Sequence, residues 1–278
     1  MASPYGTMAK PKSKASLGTV LPRYARLSSS LLAAKKERVG DDASVSSNDS
    51  LHSPAPARPD YTDSLGNEAT LFRITHRPYP DSECAFTLNS GQQPALLQAM
   101  SKIFNDEVEA GDTYPHEFTV DQEGFVSYFM GGDGFVLLRG RYAYASDVVP
   151  LAKAEDWDER LLGFFYVKPN FPICNGGFMV NPTHRGKGVG GIMARAYLRV
   201  APVLGYKASM FNLVFVSNQA SIRLWQRLGF REIGRIPQAG RLRGQGPTKS
   251  KDDEGYVDAV MFYFDFESYS LPADIDDF

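Results

Sequence analysis

Residues 183–191, Thr-His-Arg-Gly-Lys-Gly-Val-Gly-Gly, are the most informative stretch of the 278-residue chain. An apolar run that ends at Asn181 precedes them, and apolar side chains at helical spacing follow from Val189 to Gly205. This order predicts a strand, a tight turn and a helix. Backbone N–H groups at such a helix start, together with the helix dipole, favour a bound phosphate. The glycine spacing fits neither a Walker loop nor the dinucleotide-binding fingerprint.

The turn itself supplies the candidate phosphate ligands. Its glycines would let a pyrophosphate approach the main chain closely, and its two cationic side chains would add charge-assisted contacts. The alternative, that the glycines only reverse the chain, stays open on this stretch alone. The candidate residues are Arg185, Gly186, Lys187, Gly188, Val189 and Gly190.

On both sides of the turn, strand and helix patterns alternate, which predicts a mixed α/β domain over residues 69–270. A polar loop is expected over residues 140–160 and a flexible loop over residues 237–256. Thr119 is the expected cap of one helix. Strands are predicted over residues 69–77, 84–88, 134–139, 161–168, 176–181, 207–216, 231–236 and 257–266, and helices over 94–109, from 119 onward, over 189–204 and over 218–229.

Residues 1–68 differ in composition from the rest of the chain. All 18 phenylalanines lie at or after Phe72, so this segment can bury little apolar surface and is predicted to be a disordered tail. Residues 1–38 are basic, rich in serine and poor in acids, as in mitochondrial presequences. An ordinary solvated tail on a cytoplasmic protein is the alternative.

The overall composition excludes several classes of function. A net charge of -2 argues against a nucleic-acid binder, because phosphate backbones require a basic surface. The longest apolar runs are too short for a membrane span, so no membrane partner is expected. Two cysteines and four scattered histidines show no metal-ligand spacing, so no metal is expected.

A second motif, residues 218–230, reads Asn-Gln-Ala-Ser-Ile-Arg-Leu-Trp-Gln-Arg-Leu-Gly-Phe. Together with the Arg-x-x-Gly-x-Gly pattern of residues 185–190, it resembles the motifs of the GCN5-related N-acetyltransferase (GNAT) superfamily. That resemblance implies a mixed, mostly antiparallel seven-stranded sheet, flanked by helices and splayed between strands four and five. It also implies that acetyl-coenzyme A binds in the wedge as the acetyl donor.

The chain is similar to the yeast proline-analogue acetyltransferase branch of that superfamily. Residues 168–170, Lys-Pro-Asn, and residues 211–221, Phe-Asn-Leu-Val-Phe-Val-Ser-Asn-Gln-Ala-Ser, carry this closer resemblance, which covers roughly residues 92–242. It implies an N-acetyltransferase for a small imino or amino acid, such as azetidine-2-carboxylate or pyrroline-5-carboxylate. It also implies a homodimer, and a role in the detoxification of proline analogues and in oxidative stress.

The resemblance assigns roles to several positions. The backbone of Phe178, Met179 and Val180 would pair with the pantetheine arm and polarise the thioester carbonyl. Asn218 and Ser221 would contact the coenzyme, although Asn218 also suits a plain helix N-cap.

The acceptor site is less well defined by the sequence. The resemblance places Asn175 and Asn212 on the substrate carboxylate, while a structural, hydrogen-bonded Asn212 on the face of Met210 and Val214 is the alternative. The general base is open among Glu107, Glu109, His116 and a water chain. Trp225 stands where many superfamily members have a tyrosine acid, and an indole cannot serve as one.

Two other functions remain open at this level. The acceptor could be another amine, such as a protein N-terminus, a lysine or a polyamine, or the chain could be a non-catalytic acyl-coenzyme A-binding module. Fold alone does not separate these functions.

Overall fold

The computed structural model describes residues 61–62, 68–76, 87–170, 172–248, 250 and 253–268, all within one compact unit, residues 55–278. The predicted targeting segment, residues 1–38, lies outside the described residues. Tyr61–Thr62 pairs antiparallel with the strand Glu68–Thr75, ahead of residue 69, where the domain is predicted to begin.

Within the described residues, nine strands form one mixed sheet in the order β1-β2-β4-β5-β6-β7-β9-β8, with β3 paired to β2. The β2–β3 and β6–β7 pairs are parallel and the other six are antiparallel. The strands are β1 (Tyr61–Thr62), β2 (Glu68–Thr75), β3 (Thr87–Asn89), β4 (Asp133–Arg139), β5 (Leu161–Asn170), β6 (Ile173–Val180), β7 (Ala208–Phe215), β8 (Arg231–Arg243) and β9 (Glu254–Asp265).

The expected α/β class with a splayed, mostly antiparallel sheet is confirmed. Nine strands replace the expected seven because β1 and β3, of two and three residues, extend the edge at β2. The fourth and fifth of the seven longer strands are β6 and β7. They share one ladder pair, Cys174 with Ser209, and then diverge.

The described part of the chain also contains four α-helices, α1 (Pro94–Ala110), α2 (Gln122–Phe129), α3 (Val189–Val203) and α4 (Gln219–Arg227). Their positions agree with the prediction except at the start of α2. There the cap is Asp121, whose carboxylate accepts a hydrogen bond from the Gly124 N–H at 2.7 Å, and not Thr119. Asp121 satisfies a free N–H of the first turn, which Thr119 is too far along the chain to reach. Residues 140–160 form the expected connection, with two short 3-10 turns.

The two faces of the sheet carry separate apolar cores. Helices α1 and α2 pack on one face, where they cover Phe164 and Tyr166 of β5. Helices α3 and α4 pack on the other face, where they cover Phe165 and Val167. The alternation of residues 164–167 along β5 therefore divides the core into two layers.

The predicted loop over residues 237–256 is wrong for half of its length, because both of its ends belong to strands. Strand β8 runs to Arg243 and β9 begins at Glu254, so the connection shrinks to residues 244–253. Two register shifts, near Ile233 and between Ile236 and Gly240, interrupt the alternation of side chains in this hairpin. Such bulges hide a strand from a search for period-two patterns.

A hydrogen-bonded group holds β6 and β7 together at the point where they separate. The Tyr197 hydroxyl of α3 is 2.7 Å from Ser209 Oγ and 3.1 Å from Cys174 Sγ, and all three side chains are fully buried. Cys174 and Ser209 are the single ladder pair between the two strands. The point where β6 and β7 separate thus depends on a buried hydroxyl that α3 contributes from the helical layer packed on the sheet.

We expect Tyr197→Phe to lower the free energy of unfolding by about 1–3 kcal/mol, because the Ser209 hydroxyl would lose a buried partner. Urea denaturation followed by circular dichroism measures this change. Tyr256→Phe, at a position that is 67% exposed, is the matched control and should change stability little. Equal stability of the two variants would contradict the role given to the Tyr197 hydroxyl.

Candidate active site

A cleft of about 1360 Å³ opens where β6 and β7 diverge. Its walls come from β6, β7, the glycine turn before α3 and the first turn of α4. Of the predicted site residues, the cleft is lined by Asn175, Phe178, Met179, Val180, Arg185, Gly186, Gly188, Val189, Gly190, Asn212, Asn218 and Ser221.

The glycine turn has the geometry of an anion cradle. Gly186 and Gly188 have φ of 75° and 81°, a left-handed conformation that favours glycine. A Cβ at Gly186 would meet no atom within 4 Å, so the space beside the turn is open. Helix α3 starts at this turn without a side-chain cap, so its first N–H groups are available to a ligand.

The two cations of the turn are engaged differently from the expectation. Arg185 forms an ion pair with the buried carboxylate of Glu107, and partial burial lowers the pKa of the guanidinium. Lys187 donates to the Thr183 carbonyl at 2.9 Å and lies outside the lining of the cleft. Backbone N–H groups and the helix dipole are the electropositive features of the turn itself, and Arg195 and Arg227 also line the cleft.

Strand β6 offers an unpaired backbone edge to the cleft. It pairs with β5 along its whole length, but its ladder with β7 ends at Cys174. Phe178 and Val180 direct their side chains into the α3 core, whereas Met179 packs in the α1–α2 core. Their main-chain groups on the β7 side are thus placed as hydrogen-bonding sites for an extended ligand.

The start of α4 confirms that Asn218 is a helix N-cap. Its side-chain oxygen accepts a hydrogen bond from the Ser221 N–H at 3.1 Å. The Ser221 hydroxyl accepts a hydrogen bond from Trp225 Nε1 at 3.0 Å, and the indole is buried in the aromatic core. This arrangement fixes both polar side chains at the wall of the cleft.

Asn175 and Asn212 meet across the splay. Asn175 Nδ2 donates to Asn212 Oδ1 at 3.0 Å, while Asn175 Oδ1 accepts from the Gly176 N–H at 2.8 Å. Asn212 is exposed to the cleft and lies in a bulge of β7, where the pairing with β9 shifts between Phe211 and Val214. The expectation that Asn212 shares a face with Val214 is wrong, because the extra residue returns Val214 to the core face of Phe211.

The three side chains considered as general base differ in position. Glu107 lines the cleft but is occupied by Arg185 and by the Thr113 hydroxyl, which donates to it at 2.8 Å. Glu109 is exposed on α1 and His116 packs among aromatic rings, and neither lines the cleft. Burial lowers the pKa of His116, and the nearby Lys168 lowers it further.

A polar cluster in the same cleft, on and beside the strand that faces Asn175, was not predicted from the sequence. The hydroxyls of Tyr114, Tyr128 and Tyr166 are linked in series at 3.1 Å each. Lys168 Nζ lies 3.8 Å from the centre of the Tyr128 ring and 4.1 Å from that of Tyr166. The period-two spacing of Tyr166 and Lys168 after Phe164 could have indicated the β5 half of this cluster.

Comparison with known proteins agrees with this geometry. The profile of the acetyltransferase (GNAT) family matches residues 116–230. The N-acetyltransferase aca1 of Schizosaccharomyces pombe is 41% identical over 186 residues, which are 65% of this chain and 85% of that protein. The chain belongs to the GNAT family. It is an N-acetyltransferase, and acetyl-coenzyme A is the donor in this family.

Two further proteins are similar to this chain at lower sequence identity. Protein SPT10 of Saccharomyces cerevisiae is 27% identical to this GNAT enzyme. The aligned region covers 54% of this chain and 29% of SPT10. A GNAT superfamily phosphinothricin acetyltransferase from Sinorhizobium meliloti, solved with acetyl-coenzyme A, superposes with a TM-score of 0.50. It shares 16% identity and aligns over 74% of this chain and 94% of its own, so it shows the fold.

The residues of this GNAT cleft suit acetyl-coenzyme A. The glycine turn and the uncapped start of α3 match a pyrophosphate, and the free edge of β6 matches an extended, amide-containing arm. Among the described residues, no group of three or more His, Cys, Asp or Glu side chains is placed to hold a metal ion. No helix in the described ranges is both long and apolar enough to cross a membrane.

We expect Gly190→Glu to weaken acetyl-coenzyme A binding by at least about tenfold, or ~1.4 kcal/mol, because an acidic side chain would enter the phosphate cradle. Isothermal titration calorimetry measures this loss. Gly190→Ala is the control, since a Cβ there would meet only Leu224 and Val180, both at 3.8 Å. If the Glu variant bound the coenzyme as tightly as the Ala variant, the phosphate would lie elsewhere.

Proposed function

We propose that this GNAT enzyme acetylates a small imino or amino acid that carries a carboxylate, such as azetidine-2-carboxylate or pyrroline-5-carboxylate. The observation that carries the proposal is the Asn175–Asn212 amide pair at the end of the cleft. Asn175 Oδ1 is held by the Gly176 N–H, which directs its amide nitrogen towards Asn212. The amide nitrogen of Asn212 is then a donor for a ligand carboxylate, and Asn175 Nδ2 can be shared with it.

The charge of the cleft supports a carboxylated acceptor over a polyamine. Among the described residues of the lining, Glu107 is the only carboxylate, and Arg185 neutralises it. Lys168 adds a positive charge at the acceptor end. A polyamine would meet no free acid here, whereas an acidic acceptor would meet donors and a cation.

In the proposed mechanism the acceptor nitrogen attacks the thioester carbonyl of acetyl-coenzyme A directly. Collapse of the tetrahedral intermediate then breaks the C–S bond and releases coenzyme A as the thiolate. The β6 backbone would hold the pantetheine arm and donate to the carbonyl oxygen as negative charge develops there. The two asparagines would hold the carboxylate so that the ring nitrogen faces the donor. Since Glu107 is engaged and His116 lies outside the lining, water in the open cleft is the proposed acceptor of the amine proton.

An acceptor panel tests the proposed function. Thiol release from acetyl-coenzyme A would be measured with azetidine-2-carboxylate, proline, a polyamine and a lysine peptide in separate reactions. We expect turnover with azetidine-2-carboxylate and little with the last two. Turnover with only the polyamine or only the peptide would overturn the proposed substrate class. Coenzyme binding without any turnover would favour a non-catalytic binding module.

We expect Asn212→Ala to raise the KM for the carboxylated acceptor by about tenfold or more, because a charged ligand would lose a hydrogen bond worth ~1.5–3 kcal/mol. Asn212→Asp should weaken it further through repulsion between carboxylates. Steady-state kinetics gives the KM, and calorimetry should show unchanged coenzyme affinity in both variants. Equal losses of acceptor and coenzyme binding would instead indicate a structural role.

We also propose that the enzyme is a homodimer and that it acts in the cytoplasm. The alternative location is the mitochondrion, for which the basic segment 1–38 would be the targeting signal. The proposal is supported by the composition of that segment and by the resemblance to the proline-analogue acetyltransferases. Fusion of residues 1–38 to a fluorescent protein tests the targeting role. Sedimentation of the full chain tests the dimer.

A further inference from the structure

We propose that Lys168 is the acceptor-binding cation of this enzyme, which selects acceptors that carry a carboxylate. The inference rests on the proposed function and extends it from the two neutral amides to a charged residue of the neighbouring strand. Its basis is the position of Lys168 in the sheet, its surroundings and the lack of an acidic partner for it among the described residues.

The register of the sheet brings Lys168 to the amide pair. Lys168 of β5 lies directly opposite Asn175 of β6 in the antiparallel ladder. Directly opposed residues of antiparallel strands carry their side chains on the same face, a few ångströms apart. Asn175 in turn donates to Asn212. A cation and two amides therefore follow each other across β5, β6 and β7 on the floor of the cleft.

The surroundings hold the ammonium group in place without neutralising it. Lys168 Nζ lies over the rings of Tyr128 and Tyr166, 3.8 Å and 4.1 Å from their centres, which favours the charged form. The Tyr166 ring can lie against β6 because residue 177 is glycine, where a Cβ would come within 2.5 Å of that ring. The site therefore depends on a specific close approach between β5 and β6.

No carboxylate among the described residues is within ion-pair distance of Lys168. Burial lowers the pKa of Lys168 to about 8, and no acid in the described part of the chain opposes that shift. A half-buried cation without a counter-ion is stabilised when an anion enters beside it. A ligand carboxylate held by Asn175 and Asn212 would provide that anion.

Several charged and titratable groups face Lys168. Among those that the structure describes, Lys168 is the one expected to change its protonation near pH 8. Burial raises the pKa values of Tyr114 and Tyr166, and the lowered pKa of His116 keeps that ring neutral at this pH. Tyr128 is the other ring in contact, and Asp133 on β4 is paired with Arg73. Lys168 is protonated below about pH 8, so carboxylate binding should weaken as the pH rises through that value.

The test is calorimetric binding of tetrahydrofuran-2-carboxylate, an unreactive oxygen analogue of proline, to the full chain in the presence of coenzyme A. Between pH 7 and pH 9 we expect the wild-type Kd to rise about tenfold, as the protonated fraction of Lys168 falls. The carboxylate of the probe stays ionised throughout this range. The neutral probe tetrahydrofuran-2-carboxamide should show no such pH dependence.

Substitutions separate charge from packing. Lys168→Met should weaken binding of the carboxylate by about 10- to 100-fold at pH 7 and abolish its pH dependence, with little effect on the carboxamide. Lys168→Arg should recover part of the affinity and keep it to pH 9, because its charge does not titrate there. Lys153→Met, at an exposed position outside the cleft, is the matched control. Unchanged coenzyme A binding would show that each variant is folded.

The outcomes distinguish the two proposals. If the wild type acetylates azetidine-2-carboxylate and Lys168→Met leaves its KM and the probe Kd unchanged, the role of Lys168 is overturned and the proposed function stands. A loss of kcat without a change in KM would overturn it in favour of proton transfer by the lysine. If the wild type acetylates no carboxylated acceptor, the proposed function fails, and this inference fails with it.

Discussion

The site depends on the buried, hydrogen-bonded group of Tyr197, Cys174 and Ser209, which fixes the point where β6 and β7 separate. This group joins β6 and β7 at one ladder pair, and beyond that pair the described strands share no further backbone ladder, only the side-chain hydrogen bond from Asn175 to Asn212. A sheet that stays closed at this point would leave no wedge for a ligand. A sheet that opened further would separate Asn175 from Asn212. The position of one buried hydroxyl therefore sets both the width of the cleft and the spacing of its amide pair.

The two neighbouring glycines of β6 explain how the strand can pass this point. A Cβ at Gly176 would come within 2.7 Å of the Tyr197 ring, and a Cβ at Gly177 within 2.5 Å of the Tyr166 ring. The rings press on opposite faces of the same short stretch of β6. One ring belongs to the layer that fixes the splay, and the other to the cluster around Lys168. The layer that fixes the splay and the cluster around Lys168 thus meet at two glycines, Gly176 and Gly177.

The parts of this protein that the sequence predicted well are those with a strong local pattern. The long helices, the glycine turn before α3 and the apolar strand β7 each have a period or a breaker of their own, so local pattern was enough. The prediction placed Asn212 on the wrong face and ended β8 too early. Both errors have the same cause, because a bulge adds a residue and inverts the alternation of side chains after it. Lys187 was expected at the cleft, but the structure turns it to the Thr183 carbonyl. The cluster of Tyr114, Tyr128 and Lys168 joins three separate elements, and only the tertiary fold brings them together.

The distribution of charge gives the two ends of the cleft different means of recognition. Beside the glycine turn the side chain of Arg185 is neutralised by Glu107, while backbone N–H groups and the dipole of α3 are positioned to attract phosphate. Those groups are fixed by the fold, so many sequences can provide them. At the end proposed to take the acceptor, the described side chains leave the Lys168 cation without an acid beside it. Because an unpaired, half-buried charge is costly, a ligand of the opposite sign gains more there than a neutral ligand of equal shape. Discrimination between acceptors is therefore expected to depend first on their charge and only then on the fit of their rings.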